Sequence, residues 1–76
     1  MKIELKDLRL LFTNLIYAYQ IMQVENDDKE IDAIIEEIIR ICYVAVDEID
    51  TGEIDEIKVK IMIDEIERLR YQITIK

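Results

Sequence analysis

The sequence predicts an all-α protein of three helices, arranged as an up-down-up bundle. Two observations support this prediction. Apolar residues recur at helical spacing in three segments of the 76-residue chain. Two short polar stretches separate these segments, at residues 25–28 and at residues 50–52, and the second holds the only Gly. We therefore expect helices over residues 5–25, 29–49 and 53–72, within one domain covering residues 1–76.

The first predicted helix has two apolar faces. The face expected to join the core consists of Leu8, Leu11, Phe12, Leu15, Tyr19 and Met22. The face on roughly the opposite side, called here the outer face, consists of Leu10, Tyr17, Ile21 and Val24. Three helices can bury the first face but leave the outer face exposed, and contiguous exposed apolar surface usually marks an interface. We expect this face to contact another chain, most simply a second copy, so that a dimer forms a larger helical bundle.

The second predicted helix has the clearest helical pattern. Its apolar residues cover a little less than half of the helix circumference, which is typical of a central helix with two neighbours. Asp27 or Asp28 is expected to cap its first turn. Its polar side provides candidate contacts to a partner protein, namely Asp32, Glu36, Glu37, Arg40, Tyr43 and Asp47.

The third segment has two interpretations. A helix is favoured because one apolar face would contain Val59, Met62, Ile63, Ile66, Leu69 and Ile73. Asp50 followed by Glu53 resembles a capping box at its start. Alternation of apolar and polar residues at 57–63 and 69–75 is instead typical of strands, so a C-terminal β-hairpin is the alternative. Residues 64–68 lack the Gly, Asn or Pro that a hairpin turn would favour.

The net charge of −8 is unevenly distributed. Residues 25–56 hold 13 acids and 2 bases, and the remaining residues hold 5 acids and 8 bases. In an up-down-up bundle, each end of the chain meets the opposite charge at a connection between helices. The pairs expected at one end join Lys2, Lys6 and Arg9 to Asp47, Asp50, Glu53 and Asp55. At the other end they join Arg68, Arg70 and Lys76 to Glu25, Asp27 and Asp28.

The residue types argue against most enzymatic chemistry. The chain has no His and no Ser, which excludes Ser-His and Cys-His pairs within it. Cys42 lies in an apolar run and is expected to be a packed, unreactive thiol. The one enzymatic alternative is a minimal metal-dependent all-α hydrolase, with a divalent metal held by Glu53, Glu56, Asp64 and Glu67. We otherwise expect no cofactor, no metal and no catalytic residues.

The composition favours a function in binding. We expect a small acidic module for protein–protein interaction, which docks as a regulator or inhibitor on a host or cognate protein. Heavy use of Ile, Lys, Glu and Asp suggests an A+T-rich genome, and compact acidic helical proteins of this kind are typical of phages and mobile elements. The acidic surface is also compatible with an anti-defence protein or a nucleic-acid mimic. A homo-oligomeric structural or assembly protein is the main alternative.

Charge and hydropathy also indicate where the protein acts. The negative net charge disfavours direct binding to nucleic acids or to anionic membranes, both of which attract bases. No apolar run approaches the ~18 residues of a membrane span, and the charged start of the chain does not resemble a signal peptide. With a single Cys, the sequence is typical of a cytoplasmic protein.

Overall fold

The computed structural model describes residues 4–75. The regular elements in this range are three α-helices: α1 at Leu5–Glu25, α2 at Lys29–Thr51 and α3 at Glu56–Thr74. The predicted all-α class with three helices is therefore confirmed. The alternative β-hairpin is not formed, because residues 57–74 lie within α3.

Helix α2 is the centre of the molecule. It packs against α1 on one side and against α3 on the other, whereas within residues 4–75 no Cα atom of α1 comes within 8 Å of one in α3. Side-chain contacts show that α1 and α2 run in opposite directions, since Arg9 contacts Asp50 and Gln23 contacts Glu36. This arrangement explains why α2 needs the broadest apolar face of the three helices.

The core contains one buried face from each helix. Its fully or nearly buried residues are Leu8, Phe12, Ile16, Tyr19, Ile35, Ile38, Ile39, Ile41, Cys42, Ala45, Ile49, Val59, Ile66 and Leu69. The face predicted for α1 is only partly correct, because Leu11 and Met22 are exposed and Ile16 is buried in addition. Leu11 is exposed because it borders a groove between α1 and α3, whose Cα atoms stay more than 8 Å apart in the described range.

The ends of α2 have well-defined caps. The Asp28 Oδ1 atom accepts hydrogen bonds from the backbone N–H groups of Glu30 at 2.9 Å and Ile31 at 3.2 Å. At the other end, Gly52 has a left-handed conformation with φ 78°. Its N–H donates to the Ile49 carbonyl, and the N–H of Glu53 donates to the Glu48 carbonyl at 2.9 Å. This is a Schellman motif, which Gly favours because it has no Cβ to clash at positive φ.

Helix α3 begins later than the sequence predicts. Its first turn is capped by Asp55, whose Oδ1 accepts from the Lys58 N–H at 2.8 Å. The capping box predicted for Asp50 and Glu53 is wrong, because the motif at Gly52 extends α2 to Thr51. Asp50 is therefore inside α2, and Glu53 lies in the connection to α3.

One of the predicted charge pairs is formed, between Arg9 and Asp50. Arg9 donates from Nε to Asp50 Oδ1 at 2.8 Å and from Nη2 to Asp50 Oδ2 at 3.2 Å, which ties the start of α1 to the end of α2. Arg68 does not pair as predicted, since its guanidinium binds Glu65 on α3. Lys6 also departs from the prediction, since it pairs with Glu4 at 3.4 Å. Arg70 forms no ion pair with the acids predicted for it in the range 4–75. The pairs predicted for Lys2 and Lys76 lie outside the described residues.

Candidate functional site

The outer face of α1 is an uncovered apolar strip. Leu10, Tyr17, Ile21 and Val24 are between 58% and 87% exposed, while Leu8 and Phe12 on the opposite side are fully buried. The sequence prediction overlooked Asn14, which is also exposed and lies on the same strip. With Asn14 included, the spacing along the strip alternates between four and three residues. This spacing is the signal that would have identified Asn14, because it is typical of the contact line of a coiled coil.

The polar residues predicted on α2 do not form one free surface. Glu36 accepts a hydrogen bond from Gln23 Nε2 at 2.8 Å, and the Tyr43 hydroxyl accepts one from Gln20 Nε2 at 3.3 Å. Both bonds cross from α1 to α2. Glu36 and Tyr43 therefore help to hold these helices together, in addition to presenting polar atoms to solvent.

The remaining members of this set differ in their surroundings. Glu37 and Arg40 form an ion pair with each other beside α3, and the hydrogen bond from Arg40 lowers the pKa of the Glu37 carboxyl. Asp32 is half-buried. Asp47 is exposed, and its side chain has no hydrogen bond or ion pair with another residue in the range 4–75. Asp47 is thus an exposed, unpaired carboxylate of the predicted partner-contact surface within the described residues.

A groove between α1 and α2 brings the two predicted surfaces together. It has a volume of about 250 Å³, and Tyr17 and Tyr43 line it from the two helices. Arg9 and Thr13 border the same groove. Tyrosine is common at protein interfaces because its ring provides area and its hydroxyl can form a hydrogen bond. The outer face of α1 and the exposed side of α2 therefore meet at this groove, through Tyr17 and Tyr43.

A second groove, of about 350 Å³, lies between α2 and α3. Ile41, Val44, Ile61 and Met62 provide its apolar lining, and ion-paired side chains such as Glu65 border it. The hydrogen bond from Arg68 lowers the pKa of Glu65. The sequence prediction missed this groove for two reasons. Ile61 lies off the core face predicted for α3, and the alternation of apolar and polar residues at 57–63 is also typical of a strand.

A third groove, of about 220 Å³, lies between α1 and α3. It exists because the Cα atoms of these two helices stay more than 8 Å apart in the described range. Leu11, Leu15 and Ile63 line it, with Glu67 and Arg70 at its edge. It accounts for the exposure of Leu11, which was expected in the core.

The buried thiol of Cys42 is held in its protonated form. Its side chain is fully buried, and burial in apolar surroundings raises its pKa to about 11. Because the thiolate is the nucleophilic form of cysteine, Cys42 in the folded protein has the properties expected of a packing residue.

The four carboxylates proposed for a metal site are not arranged as predicted. Glu56, Asp64 and Glu67 lie on α3, but Glu53 precedes that helix and does not share its face. Within the described part of the chain, no three His, Cys, Asp or Glu side chains form a group that could hold a metal ion.

None of the helices in residues 4–75 combines the length and the apolar character needed to cross a membrane.

Comparisons with known proteins do not assign a family. The chain matches no protein-family model, no curated protein and no solved structure.

Proposed function

We propose that this protein is a small acidic protein-interaction module without enzymatic activity, built as an up-down-up bundle that dimerises. In this proposal it docks on another protein as a regulator or inhibitor. The observation that carries the proposal is the outer face of α1, where four large apolar side chains are exposed on a helix whose other side is buried. Such a face has a free-energy cost in water that association with another surface would remove.

Self-association is tested by sedimentation velocity over a range of protein concentrations. We expect a reversible dimer for the wild type and a monomer for Ile21→Glu, since a charge would be buried in the contact. Ile61→Glu is a matched control, because Ile21 and Ile61 are both 62% exposed and Ile61 lies on α3. A wild type that stays monomeric at all concentrations would contradict the proposal. So would dissociation by Ile61→Glu alone.

Docking on a partner protein is proposed for the exposed side of α2 around Tyr43 and Asp47. The net charge of −8 favours a basic partner, because opposite charges speed association and select the correct surface. Mimicry of a nucleic acid is the less favoured form of this proposal. It requires free carboxylates at regular spacing, and Glu37 is paired with Arg40.

The docking surface is tested by capture of partners from cells of the source organism. Charge reversal at Glu36, Glu37 and Asp47, each to Lys, is expected to abolish capture. Three reversals on α3, at Glu56, Asp64 and Glu67, each to Lys, change the net charge by the same six units and control for it. Circular dichroism controls for folding. Unchanged capture by the triple variant would contradict a role for this surface.

A homo-oligomeric assembly protein is the second candidate function. It rests on the same outer face of α1, with self-association as the whole function. Formation of a stable dimer that captures no other protein would favour it over the regulator. A metal-dependent hydrolase would require binding of Mg²⁺ or Mn²⁺, which calorimetry with millimolar metal would detect.

A further inference from the structure

We infer that the outer face of α1 pairs with the same face of a second copy in antiparallel orientation, as a short two-stranded coiled coil. This inference rests on the proposed self-association and adds its orientation and register.

The residue spacing indicates the type of contact. Leu10, Asn14, Tyr17, Ile21 and Val24 follow intervals of four, three, four and three residues. These are the a and d positions of a heptad repeat, which form the contact line between two helices that wind around each other. All five residues are exposed in the single chain, so the whole contact line is open to a second helix.

The distribution of charge selects the second copy's direction. The C-terminal end of α1 leads into Glu25, Asp27 and Asp28, and the last turn of the helix contains no base. A parallel dimer would place two of these acidic turns side by side. An antiparallel dimer separates them by nearly the length of the 21-residue helix, which is about 30 Å at 1.5 Å per residue. That distance is nearly four Debye lengths at physiological salt, so the repulsion is screened.

Lys6 adds an attraction in the same direction. It lies four residues before Leu10, on the same side of α1; its side chain is 80% exposed and also pairs with Glu4 at 3.4 Å. In the antiparallel dimer, Lys6 approaches the acidic turn at residues 25–28 of the second copy. It also supplies the positive charge that favours the C-terminal end of a helix. In a parallel dimer the two Lys6 side chains would instead face each other.

The polar residues of the contact line select the register. In antiparallel coiled coils an a residue opposes a d residue of the other helix. Placing the two-fold axis between residues 15 and 16 sets Leu10 opposite Ile21 of the second copy, and it sets Val24 opposite Asp7, so the four positions from Leu10 to Ile21 pair with one another. The same register sets the Asn14 amide opposite the Tyr17 hydroxyl, so that two polar groups meet each other. A single buried Asn is a known means of fixing register in coiled coils.

Disulfide trapping tests the orientation directly. Leu10→Cys and Ile21→Cys are prepared separately, mixed in reduced form and then oxidised. We expect covalent dimers between the two variants and none from either variant alone. In the inferred register, two copies of residue 10 are 11 residues apart along the helices, about 16 Å, whereas a disulfide needs Cα atoms within about 7 Å. Cys42 does not interfere, because it is fully buried.

Each outcome of this experiment is informative. Covalent dimers from Leu10→Cys alone would establish a parallel contact and overturn the inference, while the proposed self-association would stand. Sedimentation of the reduced variants shows whether they still dimerise. Dimers without any cross-link would overturn the choice of face, and a monomeric wild type would overturn the proposed self-association itself.

Two further variants test the register and the charges. Asn14→Leu is expected to lower the dimer dissociation constant at least tenfold and to permit additional cross-links, because the polar restriction on register is lost. Lys6→Glu is expected to weaken the dimer three- to tenfold at low salt and less at high salt. Stronger association of Lys6→Glu would contradict the antiparallel orientation.

Discussion

Cys42 shows how far the interior of this small protein departs from water. Its side chain is fully buried, and burial raises the pKa of the thiol to about 11. An unfolded cysteine loses its proton near pH 8.5, so the unfolded chain releases a proton that the folded chain retains. The contribution of Cys42 to the stability of the folded state is therefore complete below about pH 8.5. It is lost as the pH rises through the folded pKa of about 11.

Titration of Cys42 predicts a loss of stability in alkaline solution. Relative to Cys42→Ala, the wild type should lose about 2 to 3 kcal/mol of unfolding free energy between pH 9 and pH 11. Urea denaturation at several pH values measures this difference, and the Cys42→Ala protein controls for the tyrosines and lysines that titrate nearby. The native thiol should also resist labelling at pH 8 and react once the chain unfolds. Rapid labelling of the folded protein would contradict its burial.

The cap of α2 provides a second prediction for a single residue. Asp28→Ala removes an oxygen that accepts from two backbone N–H groups, so it should lower the free energy of unfolding by about 1 kcal/mol. Asp27→Ala is the matched control, because Asp27 is the preceding exposed acid and does not cap the helix. Equal effects of the two substitutions, measured by chemical denaturation, would show that the cap has no specific role.

At the scale of the element, α1 carries apolar residues with two different roles: some pack in the core, and others are exposed on the outer face. Leu8 is fully buried against α2, and Leu10, two residues later, is 58% exposed on the outer face. Leu8→Ala should lower the free energy of unfolding by about 2 to 5 kcal/mol, because it removes packed atoms and leaves a cavity. For Leu10→Ala the change should be within about 0.5 kcal/mol at concentrations where the protein is monomeric.

The same two variants should differ in the opposite way in association. Leu10→Ala should weaken the dimer, as measured by sedimentation, while leaving the fold intact. A loss of folding stability from Leu10→Ala as large as that from Leu8→Ala would show that the outer face is part of the core.

The elements differ in how well their sequences predict them. The buried face of α2 was predicted well because its apolar residues fit one helical period and leave no second face. The start of α3 is predicted incorrectly, because Asp50 and Asp55 both precede plausible first turns. The geometry at Gly52 decides between them by keeping Asp50 inside α2. For α1, the exposure of Leu11 depends on the distance to α3, which the sequence of α1 does not contain.

For the molecule as a whole, the ion pair between Arg9 and Asp50 joins the beginning of one helix to the end of another. The hydrogen bond that Arg9 donates, together with its positive charge, lowers the pKa of the Asp50 carboxyl. The pair therefore stabilises the fold above the unfolded pKa of Asp, about 3.9, and this contribution is lost as the pH falls through the lower folded value.

We expect Asp50→Asn to lower the melting temperature at neutral pH and to reduce its decrease in acid. Asp47→Asn is the matched control, since Asp47 is exposed on the same helix and lacks an ion pair within the described residues. Thermal denaturation between pH 2 and pH 7 makes the comparison. If the two variants had the same pH profile, the ion pair would not contribute to the stability of the fold.

The surface of the whole molecule was predictable only in part. The outer face of α1 follows from helical spacing alone, and its four predicted residues are all exposed. The surroundings of Glu36 and Tyr43 do not follow from helical spacing, because they depend on how α1 is rotated against α2. That rotation brings Gln20 and Gln23 within hydrogen-bond distance of them. The groove between α2 and α3 likewise requires both helices in place.

The central position of α2 also has a kinetic consequence. In the range 4–75, Cα atoms of different helices come within 8 Å only between neighbours along the chain, so the closest contacts that form the fold are short in sequence separation. Chains of this kind close small loops and fold in microseconds to milliseconds. Since α3 has three buried residues and α2 has seven, α3 should open first, with its amide hydrogens exchanging faster than those of α2. The hairpin of α1 and α2, together with the outer face of α1, would then persist while the last helix is detached.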